Sequence, residues 1–122
     1  MCGGGGNQTF TITFTATKAN PFPPVINDGT KTSDPGNDSD FVTLVTTDSN
    51  VIIRAGGDIS SIDNVTIEPG VDLFSQNPTK QSDGTWKGVV GSSTPNGDTG
   101  YNVQYTLNGI SYSQDPKLRI KQ

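Results

Sequence analysis

The densest group of chemically capable side chains lies in one polar stretch, where Asp28, Asp34, Asn37, Asp38 and Asp40 fall between residues 27 and 40. Calcium takes about six to eight oxygens, and an acidic loop can wrap it. Asp28, Asp34, Asp38 and Asp40 are therefore candidate calcium ligands. Their spacing is not that of an EF-hand, and the competing reading is a solvated loop whose Asp side chains close Asx turns. The aromatic residues form a second group, because Trp86 with Tyr101, Tyr105 and Tyr112 could offer a platform to a sugar ring. Alternation puts Tyr101 and Tyr105 on a core face with Val103 and Leu107, which leaves Trp86 as the exposed ligand-binding candidate. The rival role for a lone Trp in a small sandwich is that of core anchor. Threonines at 9, 11, 13, 15 and 17 make a hydroxyl row that the solvent face of an ordinary sheet explains.

Much chemistry is excluded by residue type. The chain has no histidine and one cysteine. Ser-His-Asp and Cys-His pairs, type-1 copper and the usual catalytic zinc sites each lack an essential member, and an internal disulfide or a CxxC knuckle cannot form. Of the 12 acidic residues all but Glu68 are Asp in turn contexts, where they satisfy nearby backbone donors and make poor acid–base pairs. No enzyme activity and no cofactor are expected. Eight basic residues are scattered singly, and the net charge is -4. The counterion-release drive for nucleic acid is missing, and no DNA or RNA partner is expected.

What positions these residues is a β-rich chain of 122 residues, the size of one domain. Val, Ile and Thr number 34 against 3 Ala and 4 Leu, so side chains suited to a pleated surface dominate over helix formers. Residues 9–17 alternate strictly, with Phe10, Ile12, Phe14 and Ala16 on one face. Pro21-Phe22-Pro23-Pro24 forbids ladder pairing and reads as a kink at a sheet edge before Val25-Ile26. Short strands are expected over 41–46 and 51–55, joined by a hairpin-like Thr47–Asn50 link, and over 65–67 and 71–74 around a Pro69-Gly70 turn. Further strands are expected at 85–90, 101–107, 110–113 and 117–121, with Asn108-Gly109 as a two-residue hairpin turn. About eight short strands at hairpin spacing predict an all-β, antiparallel Greek-key β-sandwich over 9–122, preceded by a tether over 1–8.

Two resemblances refine this picture. Met1-Cys2-Gly3-Gly4-Gly5-Gly6 resembles the mature end of a bacterial lipoprotein, in which the cysteine carries the lipid and a Gly-rich spacer follows. The resemblance implies lipidation of Cys2, with Met1 as an added start residue, and Gly3 in place of an inner-membrane-retaining Asp implies the outer membrane. Two or three acyl chains would anchor it stably. The segment Gly100–Tyr105, Asn108-Gly109 and Lys117–Ile120 is similar to the closing hairpin of immunoglobulin-like and cupredoxin-like domains. With no His, and with its only Met at position 1, the chain would be a copper-free member. Asp98-Thr99-Gly100-Tyr101 also resembles a tyrosine corner, one residue short of its usual spacing.

The functional expectation is a non-catalytic lipoprotein domain of the bacterial cell envelope, on its periplasmic or cell-surface face. It would be a binding or structural module that meets the membrane through Cys2 and a protein or glycan partner through its loops. The alternative is calcium-dependent adhesion or glycan binding through the acidic 27–40 loop or Trp86.

Overall fold

The computed structural model describes residues 8–33, 41–92 and 97–120. Within them the chain is all β, with β1 (Thr9–Ala16), β2 (Val25–Asn27), β3 (Val42–Val45), β4 (Asn50–Gly57) and β5 (Ser61–Ile67). They are followed by β6 (Phe74–Lys80), β7 (Trp86–Val90), β8 (Thr99–Leu107), β9 (Ile110–Gln114) and β10 (Lys117–Ile120). One sheet runs β2-β1-β4-β7-β6 and the other β3-β10-β8-β5, with β9 also paired to β8. The two form a sandwich and are not closed into a barrel.

Alternation decides what each strand buries. Ile12 and Phe14 of β1, Val51 and Ile53 of β4 and Trp86 and Val90 of β7 meet Val103, Tyr105 and Leu107 of β8 and Leu118 and Ile120 of β10 in one continuous core. Each fully buried aliphatic or Phe side chain contributes about 1.5–3 kcal/mol. At β5 the register with β8 slips between Ile62 and Asn64. There the Ile62 carbonyl accepts a hydrogen bond from the Trp86 indole at 3.0 Å, so a side chain of one sheet is tied to the backbone of the other. Phe74 lies over Gly88, where a Cβ would come within 2.9 Å of its ring, so the missing side chain makes the room for the aromatic one.

The C-terminal hairpin follows the sequence expectation closely. Asn108 and Gly109 have φ of 54° and 78°, the positive pair of a type I′ turn. One register then runs from Leu107↔Ile110 to Val103↔Gln114 and resumes at Gly100↔Lys117 and Thr99↔Leu118. Between them the Tyr101 N–H donates to the Pro116 carbonyl at 3.1 Å, so β9 and β10 form one path along β8, interrupted at Asp115-Pro116 where proline has no N–H to give.

Three expectations change. The sheets are mixed and not antiparallel throughout, because β1 runs parallel to β4 from Thr9↔Asn50 to Ala16↔Gly57, and β3 runs parallel to β10. The Thr47–Asn50 link is not a hairpin, since β3 and β4 lie in opposite sheets. Both strands have residues to bury, Thr43 and Val45 in one and Val51 and Ile53 in the other, and crossing between sheets lets both reach the same interior. The last change concerns β6, which begins only at Phe74 and continues through Ser75-Gln76-Asn77-Pro78-Thr79-Lys80 in place of Val71–Phe74. The Asp72 carboxylate accepts from the Phe74 N–H at 2.9 Å, and Thr99 Oγ1 accepts from the Leu73 N–H at 3.1 Å, which holds 71–73 to a local turn and a neighbouring strand. As an edge strand with two register slips against β7, β6 tolerates a proline and loses the apolar alternation that would reveal it.

The two core tyrosines of β8 differ in one atom's surroundings. Tyr105 donates its hydroxyl to the Pro21 carbonyl at 2.7 Å. The Tyr101 hydroxyl is buried without a hydrogen-bond partner among the described residues, so the tyrosine-corner bond is not made. Burial, helped by the charge of Asp28, raises its pKa far above the ordinary phenol value. A buried hydroxyl left unpaired costs about 1–3 kcal/mol, whereas a made bond contributes about 1 kcal/mol. In urea unfolding Tyr101→Phe is expected to leave stability unchanged or raise it by about 1 kcal/mol, and Tyr105→Phe to lower it by about 1 kcal/mol.

Candidate functional site

The proline-rich segment between β1 and β2 builds the most distinctive surface. Prolines at 21, 23 and 24 keep it out of the ladder, and the Tyr105 hydroxyl fastens it at the Pro21 carbonyl. The Phe22 ring, held on this strap, stays 48% exposed. It stacks on Tyr112 of β9 with centroids 6.2 Å apart and planes 10° from parallel, and Tyr112 stacks on Tyr105 at 5.5 Å. An exposed ring is thus braced through a second ring to a buried one.

Phe22 forms a wall of a cleft of about 440 Å³ that is completed by Thr15, Ala16, Thr17, Asn20, Pro23 and Val25. Its lining is aromatic and apolar at Phe22, Ala16, Pro23 and Val25 and polar at the Thr15 and Thr17 hydroxyls and the Asn20 amide. Tyr112 also lines a smaller hollow of about 270 Å³, together with Asp63, Gln104, Ser111 and Ser113. Asp63 there accepts from Ser61 Oγ at 2.7 Å and from the Thr106 hydroxyl. The Ser61 bond first, then that from Thr106, holds its carboxyl below the usual carboxylate range.

The candidate residues named from sequence fall elsewhere. Trp86 is a correction, because it is only 9% exposed and its indole N–H is consumed by the Ile62 carbonyl. It anchors the core between the sheets and offers no platform; an indole that large is worth more buried than wet. Tyr101 and Tyr105 are fully buried, as their alternation with Val103 and Leu107 predicts. Asp28 is buried and occupied by protein donors. Its Oδ1 accepts from the Thr30 and Lys31 N–H groups, each at 2.9 Å, and its Oδ2 from the Thr43 hydroxyl at 2.9 Å. It closes an Asx turn and ties that turn to β3 across the sandwich. Asp34, Asp38 and Asp40, like Cys2, lie outside the described residues. Among those described, no group of three or more acidic or thiol side chains could hold a metal ion.

Phe22 escaped the sequence reading because a Pro-Phe-Pro-Pro run announces a kink and says nothing of where its aromatic ring points. The available signal was an aromatic side chain on a segment barred from the ladder, hence from a regular place in the core. No known protein-family model matches the chain, and no curated protein is similar to it by sequence.

Two measurements check this account of the carboxylates. Asp28→Ala removes three hydrogen bonds at a buried position and is expected to lower unfolding free energy by about 2–3 kcal/mol, read by denaturant titration. Asp98, paired with Arg119 through 2.6 Å and 3.0 Å contacts, and Asp63 both have depressed folded pKa values, caused chiefly by the Arg119 and Ser61 hydrogen bonds respectively. Their contribution is present above the ordinary carboxylate pKa of about 4 and is lost as pH falls through the depressed value. The Asp63→Asn, Asp98→Asn double variant is expected to lose stability less steeply than the parent between pH 5 and 2. Because Asp63 is exposed and the Arg119–Asp98 pair lies at the surface, the difference is small.

Proposed function

We propose that the chain is a non-catalytic, lipid-anchored binding module of the bacterial cell envelope, and that its ligand is a glycan received at the Phe22 cleft. The observation that carries the binding half is the exposed Phe22 ring, stacked on Tyr112 and fastened through Pro21, with Thr15, Thr17 and Asn20 around it. A sugar ring presents one face of C–H groups and a rim of hydroxyls. The positive C–H face suits the negative face of an aromatic ring, and the rim suits amide and hydroxyl partners. Small-molecule sites are commonly concave, with an apolar lining and a few polar groups that set orientation, and the cleft has that make-up. Because the ring is already braced, little rotamer freedom is lost on binding.

The anchoring half rests on Cys2 and the glycines at 3–6. A thioether-linked diacylglycerol on Cys2, with acylation of the freed amino group, would hold the domain at the outer membrane, and the glycines would act as a flexible spacer. The absence of histidine supports the non-catalytic reading, since it removes the nucleophile–base pairs that small hydrolases use.

Phe22→Ala is expected to weaken binding of oligosaccharides at least tenfold by titration calorimetry, with a thermal midpoint within a few degrees of the parent because the ring is half exposed. Unchanged binding would overturn the assignment of the cleft. Secreted behind a lipoprotein leader, the parent is expected in the membrane fraction and Cys2→Ser in the soluble one. Equal partitioning of the two would remove the anchor.

A further inference from the structure

The Phe22 cleft shares Thr15 and Val25 with the outer face of the first sheet, and that face carries the cations the ligand would meet. Along β1 the outward threonines 11, 13 and 15 stand opposite Ile52, Arg54 and Gly56 of the parallel strand β4. Thr15 belongs to the Phe22 cleft, while Thr11 belongs to a second cleft of about 460 Å³ with Ile52, Arg54, Ala55, Asp83 and Thr85. Thr11 and Thr15 are separated by about 13 Å of strand, more than the width of a single sugar ring. Gly56 keeps the floor low beside Thr15, since a Cβ there would stand 2.9 Å from the Thr15 hydroxyl oxygen. The two clefts therefore lie along one row of hydroxyls with no bulky side chain of β4 next to Thr15.

Arg54 is the unusual member of this row. The protein has two arginines. Arg119 spends its guanidinium on Asp98 through two contacts, at 2.6 Å and 3.0 Å. Arg54 is exposed and has no hydrogen bond or ion pair with any described residue. Lys87 stands on the same face, opposite Ile52, and is exposed as well. The outward strand positions of β1, β4 and β7 hold no carboxylate; Asp83, which lines the same cleft as Arg54, keeps its charge while it accepts from the Thr85 N–H at 3.0 Å and the Thr85 hydroxyl at 2.6 Å, and is one carboxylate against the two cations Arg54 and Lys87. In a chain of net charge -4 this places on one threonine-lined face two cations that form no ion pair with a described residue. A guanidinium fork matches a carboxylate with two parallel hydrogen bonds, and hydroxyls flank it.

We propose that the ligand is an acidic polysaccharide of uronate residues, which lies along the β1 threonine row with a ring on Phe22 and a carboxylate on Arg54, Lys87 adding to the attraction. This rests on the glycan reading of the Phe22 cleft and adds the chemical class of the sugar. The test is titration of oligomers of galacturonate, glucuronate and mannuronate, each beside its carboxyl-methylated form, against the parent and the variants Arg54→Ala, Lys87→Ala, Phe22→Ala and Arg119→Ala. The expected result is that at least one free-acid oligomer binds, that its methyl ester binds at least tenfold more weakly, and that added salt weakens the acid form. Arg54→Ala should cost at least tenfold, Lys87→Ala less, and Arg119→Ala, with the same charge change at another place, little. If acid and ester bind alike and only Phe22→Ala matters, the uronate assignment falls and the glycan reading stands. If Arg119→Ala weakens binding as much as Arg54→Ala, the attraction is one of overall charge and the proposed site falls. If the parent binds none of the oligomers in either form, the uronate assignment falls, and titration with neutral oligosaccharides against the parent and Phe22→Ala decides the glycan reading separately.

Discussion

The Trp86 indole bond to the Ile62 carbonyl is the contact on which the relation between the two sheets depends most. Hydrophobic burial is non-directional and would tolerate a slide of one sheet over the other; a hydrogen bond of 3.0 Å from a buried ring to a backbone carbonyl does not. With one cysteine, the chain has no internal disulfide to do the same work. Further side-chain bonds join the two layers in the same spirit. The Asp28 carboxylate takes the Thr43 hydroxyl of β3, and the Tyr105 hydroxyl of β8 takes the Pro21 carbonyl of the strap after β1. Each fixes a direction where packing alone sets only a distance.

The strap links this constraint to function. Because Tyr105 is held by the core, and Tyr112 stacks on Tyr105, the position of the Phe22 ring is inherited from the interior. A surface aromatic residue would otherwise move among rotamers and spend entropy on each binding event. The parallel pairing of β1 with β4 contributes in the same way on the sheet face, since its register puts Thr13 opposite Arg54 and Thr15 opposite Gly56. At the far end Gly57, with φ of 64°, lets the chain turn across β1, where a Cβ would meet the Ala16 carbonyl oxygen at 2.5 Å. The Asp58 N–H then donates to that same carbonyl at 2.8 Å.

What the chain determined by itself is whatever depends on local pattern. The strict alternation of residues 9–16, the alternation from Tyr101 to Leu107 and the Asn108-Gly109 pair each carry their period or their backbone angles in consecutive residues, and each became the expected element. So did the burial of Tyr101 and Tyr105, since side chains two apart on a strand share a face. Tertiary structure alone decided which strands are neighbours. Parallel pairing of β1 with β4 and of β3 with β10 leaves no local trace, because the partners are dozens of residues apart and their turns are not hairpins. It also decided that the polar run Ser75–Lys80 becomes an edge strand, that Trp86 turns inward to a carbonyl of the other sheet, and that Phe22 remains outside on a strap tied to Tyr105. Those outcomes depend on partners brought together only by the fold.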